Sequence, residues 1–349
     1  MANVFIHKET FQLESGKTLP ELQLAYHTYG KINAKKDNVI WVAHALTANS
    51  DVFDWWKGLI GENDLFNPEE HFIVCANILG SHYGSTGPLS INPDTGNPYY
   101  HNFPEITIRD IVNSLELLRQ YLGLEKINTL IGGSLGGQQA LEWAILKNEM
   151  IDNLILLATN AQHSPWGIAF NETQRLAIKA DRTWFNYTKD AGIKGLKAAR
   201  AIALLSYRNY NTYKTKQSDD KSENLGNLKA SSYQNYQGEK LVNRFNAYSY
   251  WYLTKAMDSH NVGRKRNGII SALKEINAKT LVIGISSDIL FPVDEQKFIA
   301  KYIPNAVYTE IDSLYGHDGF LIETKKIANE IIKHFTSNEL NKNIYELQN

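Results

Sequence analysis

The stretch NTLIGGSLGGQQALEW, Asn128 to Trp143, passes from an apolar, strand-like run into a pattern that suits a helix, with a serine at the break. Gly132-x-Ser134-x-Gly136 has the spacing of a nucleophile elbow. In such a turn the serine takes a strained backbone conformation and presents its Oγ at the carboxyl edge of a sheet. Glycines at 132, 133, 136 and 137 leave room for a strand and a helix to approach closely. A Gly-rich turn with a serine that merely caps the helix accounts for the same residues, so the elbow needs partners elsewhere in the chain.

A serine nucleophile requires a base and a carboxylate to orient that base, and after an elbow of this kind they follow in the order Ser, Asp or Glu, His. Of ten histidines, six precede Ser134, and His163 and His260 precede the last strand-like apolar run. His317 and His334 remain. His334 falls in TKKIANEIIKHF, which reads as an amphipathic helix with a basic last turn, a structural setting. His317 lies in LYGHDGF, in a loop after the strand-like AVYTEID, where a catalytic histidine belongs. For the acid, Asp288 closes the strand-like LVIGISSD, whereas Asp294 and Glu295 follow Pro292 as first-turn helix residues. Asp288 would then hold the His317 tautomer while His317 takes the Ser134 proton. Acyl chemistry also needs an oxyanion hole. The backbone N–H of Leu135 would be one donor and that of Leu46, in WVAHALTANSD (41–51), the other; an ordinary strand-to-loop junction is the alternative for the second.

Five short runs supply strands to position these residues: 38–44, 71–77, 127–133, 151–159 and 280–286, with LQLAYHTYG as an earlier strand. Their nearly continuous apolar character suits a parallel sheet buried on both faces. Helical spacing from Ile108 to Tyr121 and from Leu135 to Lys147 alternates with them, which predicts a doubly wound α/β fold. From about residue 164 to 277 the alternation stops and the composition becomes helical, aromatic and polar. This division predicts a core of residues 1–163 and 278–349 interrupted by a helical cap, 164–277. The cap's aromatics suit its own small core, an oligomer face or a pocket lining equally. Within it TKQSDDKSENLGN (215–227) is poor in apolar residues and predicts a mobile loop.

Lys and Arg number 36 against 37 Asp and Glu, so no charge excess points to nucleic acid or an anionic membrane, and a small-molecule partner is expected. The single cysteine, Cys75, excludes an internal disulfide and a Cys-rich metal site, and its apolar run predicts a buried strand residue. The amino terminus lacks the basic and apolar regions of a signal peptide, and no apolar run approaches the roughly 20 residues that span a bilayer. A cytoplasmic protein is expected.

Longer motifs carry a resemblance. HALTANSD (44–51), GSHYGSTGPLSINPDTGNPYY (80–100), FPEITIRDIV (103–112), IGGSLGGQQALEW (131–143), NETQRLAI (171–178), ISSDILFP (285–292) and GHDGFL (316–321) together resemble the homoserine O-acyltransferases of the α/β-hydrolase fold, enzymes of methionine synthesis. The resemblance runs through nearly the whole chain. It implies Ser134, Asp288 and His317 as the triad, the same three residues reached through chain order. It further implies that Arg200 and Tyr207 line the substrate pocket from the cap and that Asp318 receives the substrate amino group. An arginine pairs bidentately with a carboxylate, and an aspartate takes an ammonium. A surface helix charge and a turn residue are the plain alternatives for Arg200 and Asp318. The implied reaction is ping-pong acyl transfer from acetyl-CoA, a co-substrate, to L-homoserine, with no metal or redox cofactor and with a homodimer joined through the cap. Leu135 and Gln138 stand where that family commonly has methionines, and His82 where a cysteine is frequent. Homoserine O-succinyltransferases and serine O-acyltransferases share the scaffold, an esterase would use the same triad, and a non-catalytic binding protein is the rival from another class.

Overall fold

Eight runs of aliphatic and β-branched residues form one sheet: β1 (Asn3–His7), β2 (Leu22–Tyr29), β3 (Val39–Ala43), β4 (Phe72–Ala76), β5 (Ile127–Gly133), β6 (Ile151–Leu157), β7 (Lys279–Ile285) and β8 (Ala306–Ile311). The computed structural model describes residues 2–220 and 225–335. Part of the 215–227 stretch (221–224) and the end of the expected core segment (336–349) lie outside the described residues.

The strand order is β1-β2-β4-β3-β5-β6-β7-β8. β2 pairs antiparallel with β1 and β4, and every later pairing is parallel. All five residues of β3 are buried because both faces of the sheet are covered. Trp41 and Leu130 face one apolar cluster with the helices α1 (Ile108–Tyr121) and α2 (Leu135–Leu146). Ile40 and Ile131 face the other, with Trp56 and Phe320. Helix α1 starts at a capping box in which Thr107 and Asp110 satisfy each other's backbone N–H, and it buries Ile111, Leu115 and Leu118.

The 151–159 run reads as one strand, but β6 stops at Leu157. Ala158 takes φ +44°, and its N–H leaves the regular ladder to donate to the Ile283 carbonyl. The turn frees the next two side chains for the site. Beyond it come α3 (Pro165–Lys179), α4 (Ile193–Tyr207), α5 (Tyr210–Lys216), α6 (Lys229–Val242) and α7 (Ala247–Asp258), followed by α8 (Ile269–Lys274) before the chain returns to β7. Helix α3 packs on α4, and α4 on α6. The first five helices leave and re-enter through a narrow neck, where Gln162 bridges Asn261 and the N–H groups of His163 and Val262 donate to His260 and Ala161. The aromatics of this segment divide their roles: Trp184, Tyr248 and Tyr250 are buried together, Tyr187, Tyr210 and Tyr236 are exposed, and Tyr207 lines a cavity.

A shielded charge cluster ties these parts together. Arg109 on α1 pairs with Glu14 (2.9 Å) and with Glu142 on α2 (2.7 Å), while Arg264 and Arg266, just past the neck, reach Glu14 (2.7 Å) and Glu142 (2.6 Å). Helix α9 (Val293–Tyr302) packs against β7 and β8, and α10 (Thr324–Phe335) buries Ile327 and Ile331 on the opposite face.

The tightest approach in the sheet is at the elbow. A Cβ on Gly132 would stand 2.3 Å from the Gly136 carbonyl oxygen, and one on Gly136 would stand 2.0 Å from the Ala43 carbonyl oxygen. Both obstacles are backbone, so neither can rotate away. Gly136→Ala is therefore expected to destabilise the fold by about 3 kcal/mol, the upper end of the overpacking range. Thermal unfolding of the purified variant measures this, and a melting temperature equal to that of the parent would refute it.

Candidate active site

Ser134 sits between β5 and α2 at φ +58°, ψ −125°, a conformation that disfavours any side chain and that the surrounding bonds enforce. Its N–H donates to Leu157 (3.0 Å), and its carbonyl accepts from the Gln138 N–H (3.1 Å) and from the Thr159 hydroxyl (2.9 Å). The Thr159 contact exists because β6 ended two residues earlier.

His317 lies on a single 3-10 turn, Gly316–Asp318, after β8. Its Nδ1–H donates to Asp288 Oδ2 at 2.7 Å, and Asp288 Oδ1 accepts the backbone N–H groups of Leu290 (2.8 Å) and Phe291 (2.9 Å). The carboxylate is thus held from both sides, and the bond leaves the lone pair on Nε2. Phe291 stacks on the imidazole at 5.0 Å, and Tyr207 and Phe320 flank it at 5.8 and 5.3 Å. Burial works against a charged imidazole here, but Asp288 and Asp318 outweigh it and hold the His317 pKa above the ordinary value. Ser134 and His317 line one cavity of about 460 Å³.

The 44–51 loop is fixed by His44. This buried ring donates from Nδ1 to the Ala45 carbonyl (2.8 Å) and accepts the Ile78 N–H at Nε2 (3.1 Å). Burial holds it neutral, with its pKa pushed down to about 4. Among the described residues, the backbone N–H groups of Leu46 and Leu135 donate to no protein acceptor. For Leu135 this follows from its place in the first turn of α2, where no carbonyl precedes it on the helix.

Arg200 and Tyr207 stand seven residues apart on α4 and both line the cavity, with the Arg200 guanidinium 5.4 Å from the Tyr207 ring centre. Asp318 also lines it, and its carboxylate is paired with Arg208 at 2.9 Å. Burial raises the Asp318 pKa, opposed by Arg208, Arg200 and His317. Sequence reasoning passed over Arg208, since its partner lies far along the chain. It also passed over a brace behind the elbow: Gln138 donates to Asn160 (2.9 Å), and Asn160 donates to Glu295 (3.0 Å) on α9. Glu295, which reads as an ordinary first-turn acid, is pushed up to about 7 by burial and by the proximity of Asp288. Gln138 thus has a definite task behind the elbow. His82 accepts the Asn246 side-chain amide at Nδ1 (2.9 Å). Cys75 is buried in β4, and burial pushes its thiol pKa up.

The sequence matches the α/β-hydrolase fold family over residues 38–324. A homoserine O-acetyltransferase of Cyclobacterium marinum is 55% identical over 332 residues, which cover 95% of this chain and 94% of that protein. The chain belongs to the homoserine O-acetyltransferase family. The family's namesake from Nostoc punctiforme is 45% identical, with 93% and 92% of the two chains covered. The crystal structure of homoserine O-acetyltransferase from Bacillus anthracis superposes with a TM-score of 0.88 at 25% identity, covering 96% of this chain and 97% of that one. As a member of this family the chain is an O-acyltransferase. Among the described residues no group of three or more His, Cys, Asp or Glu side chains is placed to hold a metal ion. No helix among them is long and apolar enough to cross a membrane.

A base must be neutral to accept a proton, so with His317 as the base its raised pKa is expected to place the acid limb of the acylation rate above pH 6.5, the unperturbed histidine value. Activity is lost as pH falls through that limb. Because Asp318 contributes to the elevation, Asp318→Asn is expected to move the limb to lower pH. The pH profile of kcat/KM for acetyl-CoA checks this, and a limb that stays in place or moves upward in the variant would contradict it.

Proposed function

We propose that this chain transfers an acetyl group from acetyl-CoA to the side-chain hydroxyl of L-homoserine through an acyl-Ser134 intermediate. The observation that carries the reading is the convergence of Ser134, the Asp288–His317 pair, Arg200 and Asp318 on one cavity. His317 Nε2 takes the Ser134 proton as Oγ attacks the thioester carbonyl. The Leu46 and Leu135 amides hold the tetrahedral oxyanion, and CoA leaves with the proton from His317. Homoserine then enters, His317 deprotonates its hydroxyl, and attack on the acyl-serine releases O-acetylhomoserine and restores Ser134. Arg200 takes the amino acid's carboxylate. Asp318, held in place by Arg208, takes its ammonium. No metal or redox group is needed for any of these steps.

In this reading residues 164–277 act as a cap over a core of 1–163 and 278–349, keeping water from the acyl-enzyme so that the acceptor outcompetes it. The cap also joins two copies into a homodimer, supported by the large apolar side chains it leaves exposed, among them Leu205, Tyr210 and Tyr236. Light scattering that gives a single-chain mass at micromolar concentration would remove that part. A role in amino-acid synthesis from acetyl-CoA is in keeping with the cytoplasm.

The test is CoA release from acetyl-CoA and succinyl-CoA, each with L-homoserine, L-serine or no acceptor, with the product identified by mass. The expected result is acetyl-CoA consumption that requires homoserine and yields O-acetylhomoserine. Acceptor-independent release of free acetate would favour an esterase. Ser134→Ala is expected to lower the rate at least about 1000-fold and to abolish the acetylated enzyme adduct. Undiminished turnover in that variant would rule out the covalent route.

A further inference from the structure

The cavity runs from a buried floor, Ser134 and His317, to an exposed rim where Lys240 and Arg244 stand at and just beyond the end of α6. We propose that Lys240 and Arg244 bind the phosphate groups of the acyl-CoA donor, an assignment that rests on the donor reading above.

Neither cation has an acidic partner among the described residues. That distinguishes Arg244 from Arg109, Arg119, Arg175, Arg208 and Arg264, which all pair with carboxylates. The Arg244 guanidinium donates instead to neutral oxygens: the Thr47 carbonyl, the Thr47 hydroxyl (3.3 Å) and the Tyr83 hydroxyl (2.6 Å). These contacts aim the fork without neutralising it. One carboxylate, Asp54, shares the rim, so two cations against one anion leave the mouth positive.

The donor's chemistry divides in the same way. Only its thioester has to reach Ser134, and the flexible pantetheine arm separates that end from a nucleotide whose phosphates favour water and cations over a buried floor. Arg200 at depth and Lys240 with Arg244 at the mouth therefore serve different anions, the first an amino-acid carboxylate and the others phosphate. Arg244 has a further consequence. It reaches from the helical segment to Thr47, the neighbour of Leu46, so a phosphate on its guanidinium also steadies the loop that carries one oxyanion amide.

The experiment compares acetyl-CoA with acetyl-pantetheine, which has the same thioester and no phosphate, in the parent enzyme and in Lys240→Gln, Arg244→Gln and the double variant, with homoserine saturating. The ratio of kcat/KM values for the two donors is expected to fall roughly tenfold in the double variant, as for loss of charge-assisted contacts at an exposed site. Inhibition by adenosine 3′,5′-bisphosphate against acetyl-CoA is expected to weaken in parallel. An unchanged ratio, or equal losses with both donors, would overturn the assignment. Lys240 is exposed on a helix end, so Lys240→Gln keeps the comparison decisive even where Arg244→Gln unsettles the 44–51 loop. A parent enzyme that acetylates homoserine from neither donor would instead sink the acetyl-transfer reading itself.

Discussion

Everything in this molecule turns on the reversal at Ser134, where β5 gives way to α2 within one residue. The positive φ of that serine is tolerable only because neighbouring segments hold its N–H and its carbonyl, and because Gly136 passes within touching distance of the Ala43 carbonyl. One close contact thereby fixes three things. It sets the direction of the Oγ, the first turn of α2 with its unclaimed Leu135 amide, and the exit of β3 into the loop that carries Leu46. Gln139 closes the arrangement by donating to the His44 carbonyl at 3.0 Å.

Around this reversal the charges are sorted by depth. Asp288 is satisfied by two backbone N–H groups and one imidazole, so its charge acts on a single partner. Asp318 is kept in the cavity wall by Arg208, which opposes the burial that raises its pKa. Glu295 pairs with no cation among the described residues, and burial with the nearby Asp288 pushes it up to about 7 against its hydrogen bond from Asn160. The three carboxyl groups thus differ in the partners that the fold gives them.

The sheet was legible in the sequence because strands buried on both faces read as unbroken apolar runs, and helices α1 and α2 announced themselves through their spacing. Chain order set eight histidines aside without any knowledge of distance and left His317, which the fold brings to 2.7 Å from Asp288. What escaped was set by tertiary proximity. Nothing local in LLSYRNY tells that Arg208 faces a carboxylate more than a hundred residues away. Glu295 has the sequence context of a helix-start acid and becomes something else because tertiary burial and the nearby Asp288 raise its pKa. The end of β6 was misjudged by two residues because Ala158 adopts a backbone conformation that its identity does not favour.

The neck at Gln162 and Asn261 bears on how this architecture changes over time. Two backbone bonds and one bridge bring the start and end of the five-helix excursion side by side. To the sheet, everything between them is equivalent to a tight turn, so closing the path from β6 towards β7 carries a loop-closure penalty almost independent of what the excursion contains. Insertions and deletions between those two residues are expected to leave strand register in place. A lineage can therefore redraw the helical walls of the cavity while inheriting the elbow and the sheet that carries it.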